Sequence, residues 1–319
     1  MSGTSLPASQ SRAPHVLVVG SSMIDMIAYA KILPEGGQTV QGDDFALGFG
    51  GKGANQAVMA RRCGASVTMV NTLGNDVFGD MTIKNFQDQG IDTTFIARVP
   101  GPSGVAPIWV EPSGRNRIIC VPGANNSMTV EQVESALTKL SKIDIVIGEL
   151  EIPQQVTAAA FRKAQERSIP TILNPAPFAP ISEELMAASD WIVPNESEFA
   201  SLHPDRMQPT SDEIIESFAK SINKKLLVTL GEAGAAYSNA GSPIIRVKAP
   251  SVTAIDTTGA GDSFVGAFAY ALSSGFNETR AIQLGCLCAS QSVTRLGTQT
   301  SYPTAEQASE LIQSLHGGG

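Results

Sequence analysis

Two glycine-rich segments hold the residues of this sequence that could do chemistry on a phosphate group. One reads Asp-Thr-Thr-Gly-Ala-Gly-Asp (residues 256–262) and runs into an apolar stretch with helical spacing. The backbone N–H groups of Gly259, Ala260 and Gly261 at the start of that helix predict an anion hole. A bound phosphate repels a carboxylate, so Asp262 beside it predicts a general base that takes a proton from a hydroxyl. The alternative, a turn with Asp262 as helix cap, stays open from this segment alone.

The other segment, Gly-Gly-Lys-Gly-Ala-Asn-Gln (residues 50–56), precedes a predicted helix that ends near Arg62. Its glycines indicate that the backbone comes close to a ligand. Lys52 and Asn55 supply donors suited to hydroxyls or phosphates. The spacing is not that of a Walker A loop, because no Gly-Lys-Ser/Thr follows at the required distance. A glycine hinge under a mobile lid is an alternative that is compatible with a binding role.

The elements that must position these segments alternate between short apolar strands and amphipathic helices, which predicts an α/β fold. We expect a doubly wound, mostly parallel sheet flanked by helices. Each apolar run is followed by a polar cluster; the clusters contain Asp25, Glu149 to Glu151, Asn174, Asn195 to Glu198 and Gly231 to Gly234. Because the carboxyl ends of parallel strands meet at one edge, these clusters predict a single large site.

Two stretches, about 32–49 and 94–121, interrupt the alternation with strand-like pieces. We predict that they form a small antiparallel β lid over the strand ends. A small sheet with one apolar face tends to pair with another surface, so we expect a homodimer through the lid.

Two further clusters could hold cations. Asn195 and Glu198, three residues apart on one helical face, predict a hydrated Mg²⁺ held mainly through water and phosphates. A helix cap with a first-turn Glu is the alternative, and both stay open. The small, polar loop from Arg295 to Ser301 predicts carbonyl groups that face a cation.

The composition limits the partners. The chain has 319 residues and a formal net charge of −8, which argues against nucleic acid. It contains no apolar run long enough for a membrane span. Residues 1–13 are expected to form a disordered tail before a single domain at 14–316. Four scattered cysteines fit neither a zinc site nor a disulfide framework. We therefore expect the cytoplasm, with the nucleus as an alternative.

The two glycine-rich segments resemble the signatures of the PfkB family of sugar and nucleoside kinases, and the likeness spans about residues 15–305. Asn-Pro-Ala-Pro (174–177), Pro-Asn-Glu (194–196) and Thr-Leu-Gly (229–231) lie between them in the order that the family has. The Gly-Gly-Lys-Gly-Ala-Asn-Gln form of residues 50–56 is similar to that of the ribokinase branch. The resemblance implies a ribokinase-like fold and transfer of the γ-phosphoryl group of ATP to the 5-hydroxyl of D-ribose, giving ribose 5-phosphate and ADP. The alternatives are a sister kinase for deoxyribose, another sugar or a nucleoside, and a non-catalytic sugar sensor.

The resemblance also implies a role for each site residue. Asp262 is the base, and Gly259, Ala260 and Gly261 form the anion hole. The ribose ligands are Asp25, Gly51, Lys52, Asn55, Glu151 and Asp262. The nucleotide contacts are Asn195, Thr229, Gly231, Glu232, Gly234, Gly261 and Cys286. Asn195 and Glu198 organise Mg²⁺ through water, and an activating K⁺ lies between Asp256, Ser301 and the carbonyl groups of Thr258, Ser292, Arg295 and Gly297.

Two residues depart from the family pattern. Met23 stands where relatives often have an Asn that contacts the sugar, and Cys286 stands where an Asn lies near the adenine. Neither belongs to the phosphoryl-transfer residues. Because Asp25 is expected to bind ribose hydroxyls, we expect 2-deoxyribose to be a much poorer substrate.

Overall fold

In the computed structural model, which describes residues 12–112 and 115–317, the large sheet forms the centre of the molecule. The described strands are β1 (His15–Val19), β2 (Met23–Tyr29), β3 (Asp44–Gly50), β4 (Ser66–Gly74), β5 (Asp92–Val99), β6 (Val105–Val110), β7 (Asn116–Ile118), β8 (Ile145–Gly148), β9 (Thr171–Leu173), β10 (Trp191–Ile192), β11 (Lys225–Thr229), β12 (Ala235–Asn239) and β13 (Ile245–Val247). The described helices are α1 (Lys52–Arg62), α2 (Val77–Asp88), α3 (Val130–Lys139), α4 (Gln154–Gln165), α5 (Glu183–Ala188), α6 (Glu196–Leu202), α7 (Asp212–Ile222), α8 (Ala260–Ser273), α9 (Glu278–Ser292) and α10 (Ala305–Gly317).

The large sheet has nine strands in the order β13-β12-β11-β10-β9-β8-β1-β4-β5. The strands from β11 to β5 pair in parallel, and β12 and β13 add two antiparallel pairings at one edge. Val16 to Val19 of β1 have no exposed surface, as expected for a central strand with both faces covered. One core cluster packs against α1, α8 and α9, and another against α3, α4 and α7. The predicted doubly wound sheet is therefore confirmed.

The second sheet has four strands in the order β3-β2-β6-β7. The pairs β2–β3 and β6–β7 are antiparallel, whereas β2–β6 is parallel. Two boundaries of the lid differ from the sequence expectation. The lid includes Met23–Tyr29, and the segment Asp92–Val99 belongs to the large sheet. The physical reason for the second difference is that Phe95 and Ile96 point to opposite faces and pack against both core clusters.

Two other expectations concern the N-terminal tail and the absence of a membrane span. Residues 1–11 of the expected disordered tail lie outside the described residues. Arg12 is described, and its guanidinium forms an ion pair with the carboxylate of Asp144 at 2.8 Å. Among the described residues, no helix combines the length and apolar character that a membrane crossing needs.

Candidate active site

A cavity of about 140 Å³ opens at the carboxyl ends of the central strands, where the sequence predicted a single site. The loops after β9 and β10 and the end of β11 form one wall, and the start of α8 forms the other. The lining residues are Lys52, Asn174, Ala176, Val193, Asn195, Glu198, Thr229, Gly259, Gly261, Asp262 and Val265. Residues far apart in the chain are thus brought together by the parallel topology.

Asp262 is 6% exposed and lies in the first turn of α8. One carboxylate oxygen accepts a hydrogen bond from Nδ2 of Asn55, and the other accepts one from Nε2 of Gln56, both at 3.0 Å. The residue that caps α8 is Gly259, so the alternative of Asp262 as helix cap is wrong. Two amide donors fix the carboxylate and leave lone pairs that can accept the proton of a hydroxyl in the cavity.

No role was predicted for Gln56, although it lies in the glycine-rich segment of residues 50–56. Its Nε2 also donates to Oδ1 of Asn174 at 3.1 Å, and Asn174 donates to the carbonyl of Val193 at 2.9 Å. Gln56 therefore ties the carboxylate on α8 to the ends of β9 and β10. The sequence feature that could have indicated this link is the pair of consecutive amide side chains, Asn55 and Gln56, at the start of a buried helix.

At the start of α8, where the sequence predicted an anion hole, the backbone N–H groups differ in whether they already have a hydrogen-bond partner. Gly259 adopts φ = 74°, a conformation that glycine enters without strain. The N–H of Ala260 donates to the carbonyl of Thr257 at 3.2 Å and is therefore already used. Within residues 12–112 and 115–317, the N–H groups of Gly259 and Gly261 have no hydrogen-bond partner. These two groups, at the positive end of the helix dipole, are the ones available to an anion.

Acidic side chains lie on the lid side of the cavity. Oε2 of Glu151 accepts hydrogen bonds from Oγ of Ser21 at 2.5 Å and from the backbone N–H of Lys52 at 2.9 Å. Asp25 is 8% exposed and lies within β2, rather than in a loop after β1. Gly51 precedes α1 with φ = 87°, and a Cβ there would lie 2.5 Å from Cα of Ser22. The predicted sugar ligands therefore surround one corner where the lid meets the large sheet.

Glu149 is a buried carboxylate at this corner to which the sequence assigned no role. It accepts hydrogen bonds from the backbone N–H groups of Ser21, at 2.5 Å, and of Glu151. Burial and the charge of Glu151 raise the pKa of Glu149 to about 8. Because it binds both segments, Glu149 fixes the loop after β1 against the loop after β8.

The pH dependence of sugar binding is predicted from Asp25. Burial and the charge of Glu151 raise the pKa of Asp25 to about 6. A carboxyl group with a raised pKa takes up its proton at higher pH, so the ionised acceptor is lost as the pH falls through about 6. We expect the KM for the sugar to rise between pH 7 and pH 5. Steady-state kinetics of the Asp25→Asn variant provide the control, and an unchanged pH dependence in that variant would assign the effect to another group.

Asn195 and Glu198 form a reciprocal capping box at the start of α6. The N–H of Glu198 donates to Oδ1 of Asn195 at 2.8 Å, and the N–H of Asn195 donates to Oε2 of Glu198 at 2.9 Å. The capping alternative is therefore confirmed. Both residues also line the cavity, and burial together with the charge of Asp262 raises the pKa of Glu198. A role in holding hydrated Mg²⁺ stays a prediction.

Asp256 joins the two segments that were predicted to hold K⁺. Its carboxylate accepts hydrogen bonds from the N–H groups of Thr258 and Gly297, both at 2.9 Å. Burial acts to raise the pKa of Asp256, but these bonds hold it below its ordinary value. Oγ of Ser301 donates to the carbonyl of Thr298 at 2.8 Å, and the carbonyl of Ser292 accepts from the N–H of Arg295 at 3.3 Å. A carboxylate with carbonyl groups is a donor set that suits K⁺, so the residues present fit the ion.

Several predicted nucleotide contacts lie away from Asp262. Gly231, Glu232 and Gly234 form the turn after β11 and do not line the cavity, whereas Thr229 does. Cys286 is 4% exposed in the core beside α8, and burial raises its pKa to about 12. Its contact with a nucleotide stays a prediction.

Residues 13–305 match the family described as pfkB family carbohydrate kinase. The chain is 37% identical to a deoxyribokinase of Salmonella typhi, covering 93% of this chain and 98% of the relative. It is 36% identical to a ribokinase of Bacillus subtilis, covering 93% and 99%. A solved structure of ribokinase from Thermotoga maritima matches with a TM-score of 0.84 at 36% identity, covering 93% and 99%. The Arabidopsis thaliana ribokinase complexed with ribose and ATP matches with a TM-score of 0.85 at 28% identity, covering 95% and 99%.

Proposed function

This chain belongs to the pfkB family of carbohydrate kinases, and we propose that it transfers the γ-phosphoryl group of ATP to the 5-hydroxyl of D-ribose. The observation that carries the proposal is Asp262, held by two amide donors beside the N–H groups of Gly259 and Gly261, for which the described part of the chain offers no hydrogen-bond partner. Phosphoryl transfer needs mainly positioning and stabilisation of charge. In the proposed reaction Asp262 accepts the hydroxyl proton, and the two N–H groups stabilise the transferring phosphoryl group. An intact base and anion hole argue against a non-catalytic sugar sensor.

The proposal of a sugar as the acceptor rests on the corner under the lid that contains Asp25 and Glu151. Asp25 and Glu151 offer carboxylate oxygens that accept hydrogen bonds from sugar hydroxyls, and Lys52 adds a cation. Burial acts to lower the pKa of Lys52, but the charges of Asp262 and Glu151 raise it above its ordinary value. A second candidate is 2-deoxyribose. It is supported by the likeness to a deoxyribokinase and by Met23, an apolar side chain on the same face of β2 as Asp25.

A comparison of two sugars separates these candidates. If D-ribose is the substrate, its kcat/KM should exceed that of 2-deoxyribose at least tenfold, because a site that binds a hydroxyl strongly rejects the analogue without it. The measurement is a coupled assay of ADP formation with each sugar at several concentrations. A higher kcat/KM for 2-deoxyribose would replace ribose by the second candidate, and no turnover with either would direct the search to other sugars and nucleosides.

Mg²⁺ with ATP and an activating K⁺ are part of the proposal. Asn195 and Glu198 at the cavity wall would organise Mg²⁺ through water, and Asp256 with the carbonyl groups around Gly297 would hold K⁺. Beside the anion hole, K⁺ supplies positive charge that fixes the shape of the loop. Equal turnover in Na⁺ and K⁺ buffers would remove K⁺ from the proposal.

We also propose a homodimer through the lid and a cytoplasmic location. The lid leaves Phe45 57%, Leu47 45% and Ile119 53% exposed, which is apolar surface that a second copy could cover. Sedimentation equilibrium tests the dimer.

Free thiols at all four cysteines support a reducing compartment.

A further inference from the structure

A chain of three amide side chains leads away from the carboxylate of Asp262. Asn55 donates through Nδ2 to Asp262 at 3.0 Å and accepts through Oδ1 from Nε2 of Gln299 at 3.1 Å. Gln299 in turn accepts through Oε1 from Nδ2 of Asn85 at 3.0 Å. Gln299 is 5% exposed and Asn55 is 4% exposed, so water competes little for these bonds.

The carboxylate fixes the direction of the whole chain. An ionised carboxylate only accepts hydrogen bonds, so Asn55 must present its NH₂ group to Asp262. Its oxygen then faces outward and needs a donor, which Gln299 provides. The oxygen of Gln299 faces outward in the same way and meets the NH₂ group of Asn85. Gln299 is therefore the residue that holds the Asn55 amide in the orientation that donates to Asp262.

Gln299 lies in a loop that several elements hold in place. The carbonyl of Gln299 accepts a hydrogen bond from Nη1 of Arg62 at 2.8 Å. Oγ1 of Thr298 donates to the carbonyl of Phe49 in the lid strand β3 at 2.9 Å. The hydroxyl of Tyr302 donates to the carbonyl of Gly259 at 2.8 Å. The loop thus contacts the lid, the start of α8 and, through Gln299, the Asn55 amide that donates to Asp262.

We propose that Gln299 is a positioning residue for Asp262 and that it acts through the amide of Asn55. The inference rests on the proposed function, because it assigns Gln299 to the orientation of the general base. Gln299 itself lies behind Asn55 and is not among the residues that line the cavity. Its effect should appear in the chemical step and depend on the presence of the Asp262 carboxylate.

The test is a double-mutant cycle between Gln299→Met and Asp262→Asn. Methionine has a similar length but neither donates nor accepts as an amide does, so Asn55 is free to turn. Misorientation of the base should lower kcat roughly 10- to 100-fold, while the KM for ATP changes less than about twofold because Gln299 lies outside the cavity that ATP enters. In the Asp262→Asn background, where no carboxylate remains to orient, Gln299→Met should change the residual kcat by less than about twofold.

Gln154→Met is the matched control. Gln154 also makes two hydrogen bonds, to the carbonyl of Pro180 at 2.8 Å and from the N–H of Ser182 at 3.0 Å, outside the cavity. Its kcat should stay near wild type, although its melting temperature falls. If Gln299 only supports the fold, Gln299→Met will lower kcat by the same factor in both backgrounds or leave it unchanged. Either result overturns the inference and leaves the proposed function intact. Normal turnover of Asp262→Asn alone would overturn both.

Gln299→Glu keeps the test decisive if the methionine variant does not fold. A carboxylate at this position still accepts from Asn85 but cannot donate to Asn55. The Asn55 amide should then turn its NH₂ group to residue 299 and its oxygen towards Asp262, where two acceptors repel. We expect kcat to fall at least tenfold in the folded protein, and the melting temperature to fall as well because the new carboxylate is buried. A folded Gln299→Glu variant with wild-type kcat would contradict the proposed role.

Discussion

Replacing Asp262 by Asn should lower kcat by about 10²–10⁴, equivalent to roughly 3–5 kcal/mol in the activation barrier. The amide has nearly the size of the carboxylate but cannot accept the proton of the sugar hydroxyl. Binding of the sugar should change much less, because the amide oxygen still accepts a hydrogen bond. Steady-state kcat and the KM for the sugar, measured on the same preparation, separate these two effects.

A matched substitution helps to separate a loss of catalysis from a loss of fold. Asp80 also lies in the first turn of a helix, α2, and its carboxylate pairs with Arg98 at 2.8 Å outside the cavity. Asp80→Asn should therefore leave kcat near wild type. If Asp262→Asn melts at the wild-type temperature and still turns over at the wild-type rate, the general-base mechanism is wrong.

The central part of the large sheet could be predicted from the sequence because its parallel strands from β11 to β4 carry local signals. Val16 to Val19 form an unbroken apolar run that ends at a glycine, and such runs indicate strands buried on both faces. Parallel topology then places all the polar clusters at one edge without further information. For this reason Thr229, Asn195 and Asp262 were predicted to share a site, and all three line one cavity.

The lid was predicted less well, because pairing partners in a small sheet are not encoded locally. Met23–Tyr29 directly follows the first strand and its polar residues, so the sequence placed Asp25 in a loop. The pairing of β2 with β3 and β6 makes it a strand instead. Asp92–Val99 has the same strand-like composition as the lid segments, and only packing against both core clusters assigns it to the large sheet.

The contacts that hold Asp262 could not be predicted, because their partners are distant in the chain. Asn55 and Asp262 are 207 positions apart, and Asn55 and Gln299 are 244 positions apart. An amide in a sequence carries no information about which group it will meet. The residue types indicated donors near a carboxylate, whereas the order Asn85, Gln299, Asn55 and Asp262 required the folded chain.

Replacing Gly261 by Ala should lower kcat/KM by about 10²–10³ while the protein remains fully folded. Gly261 lines the cavity in the first turn of α8, and a Cβ added there meets no heavy atom within 4 Å in the described part of the chain. Alanine also favours a helix over glycine by up to about 1 kcal/mol. The methyl group would instead occupy the space through which a phosphoryl oxygen reaches the N–H of Gly261. Stability and activity should therefore change in opposite directions.

Alanine substitutions at two other glycines serve as controls for this prediction. Gly36→Ala adds a methyl group with equally free space outside the cavity, so both activity and melting temperature should stay near wild type. Gly266→Ala places a Cβ 2.4 Å from the carbonyl of Gln56 between α8 and α1, so it should lower the melting temperature. Thermal unfolding and kcat/KM measured for all three variants separate loss of fold from loss of the anion hole. Wild-type kcat/KM in a folded Gly261→Ala protein would mean that the phosphoryl group does not approach this N–H.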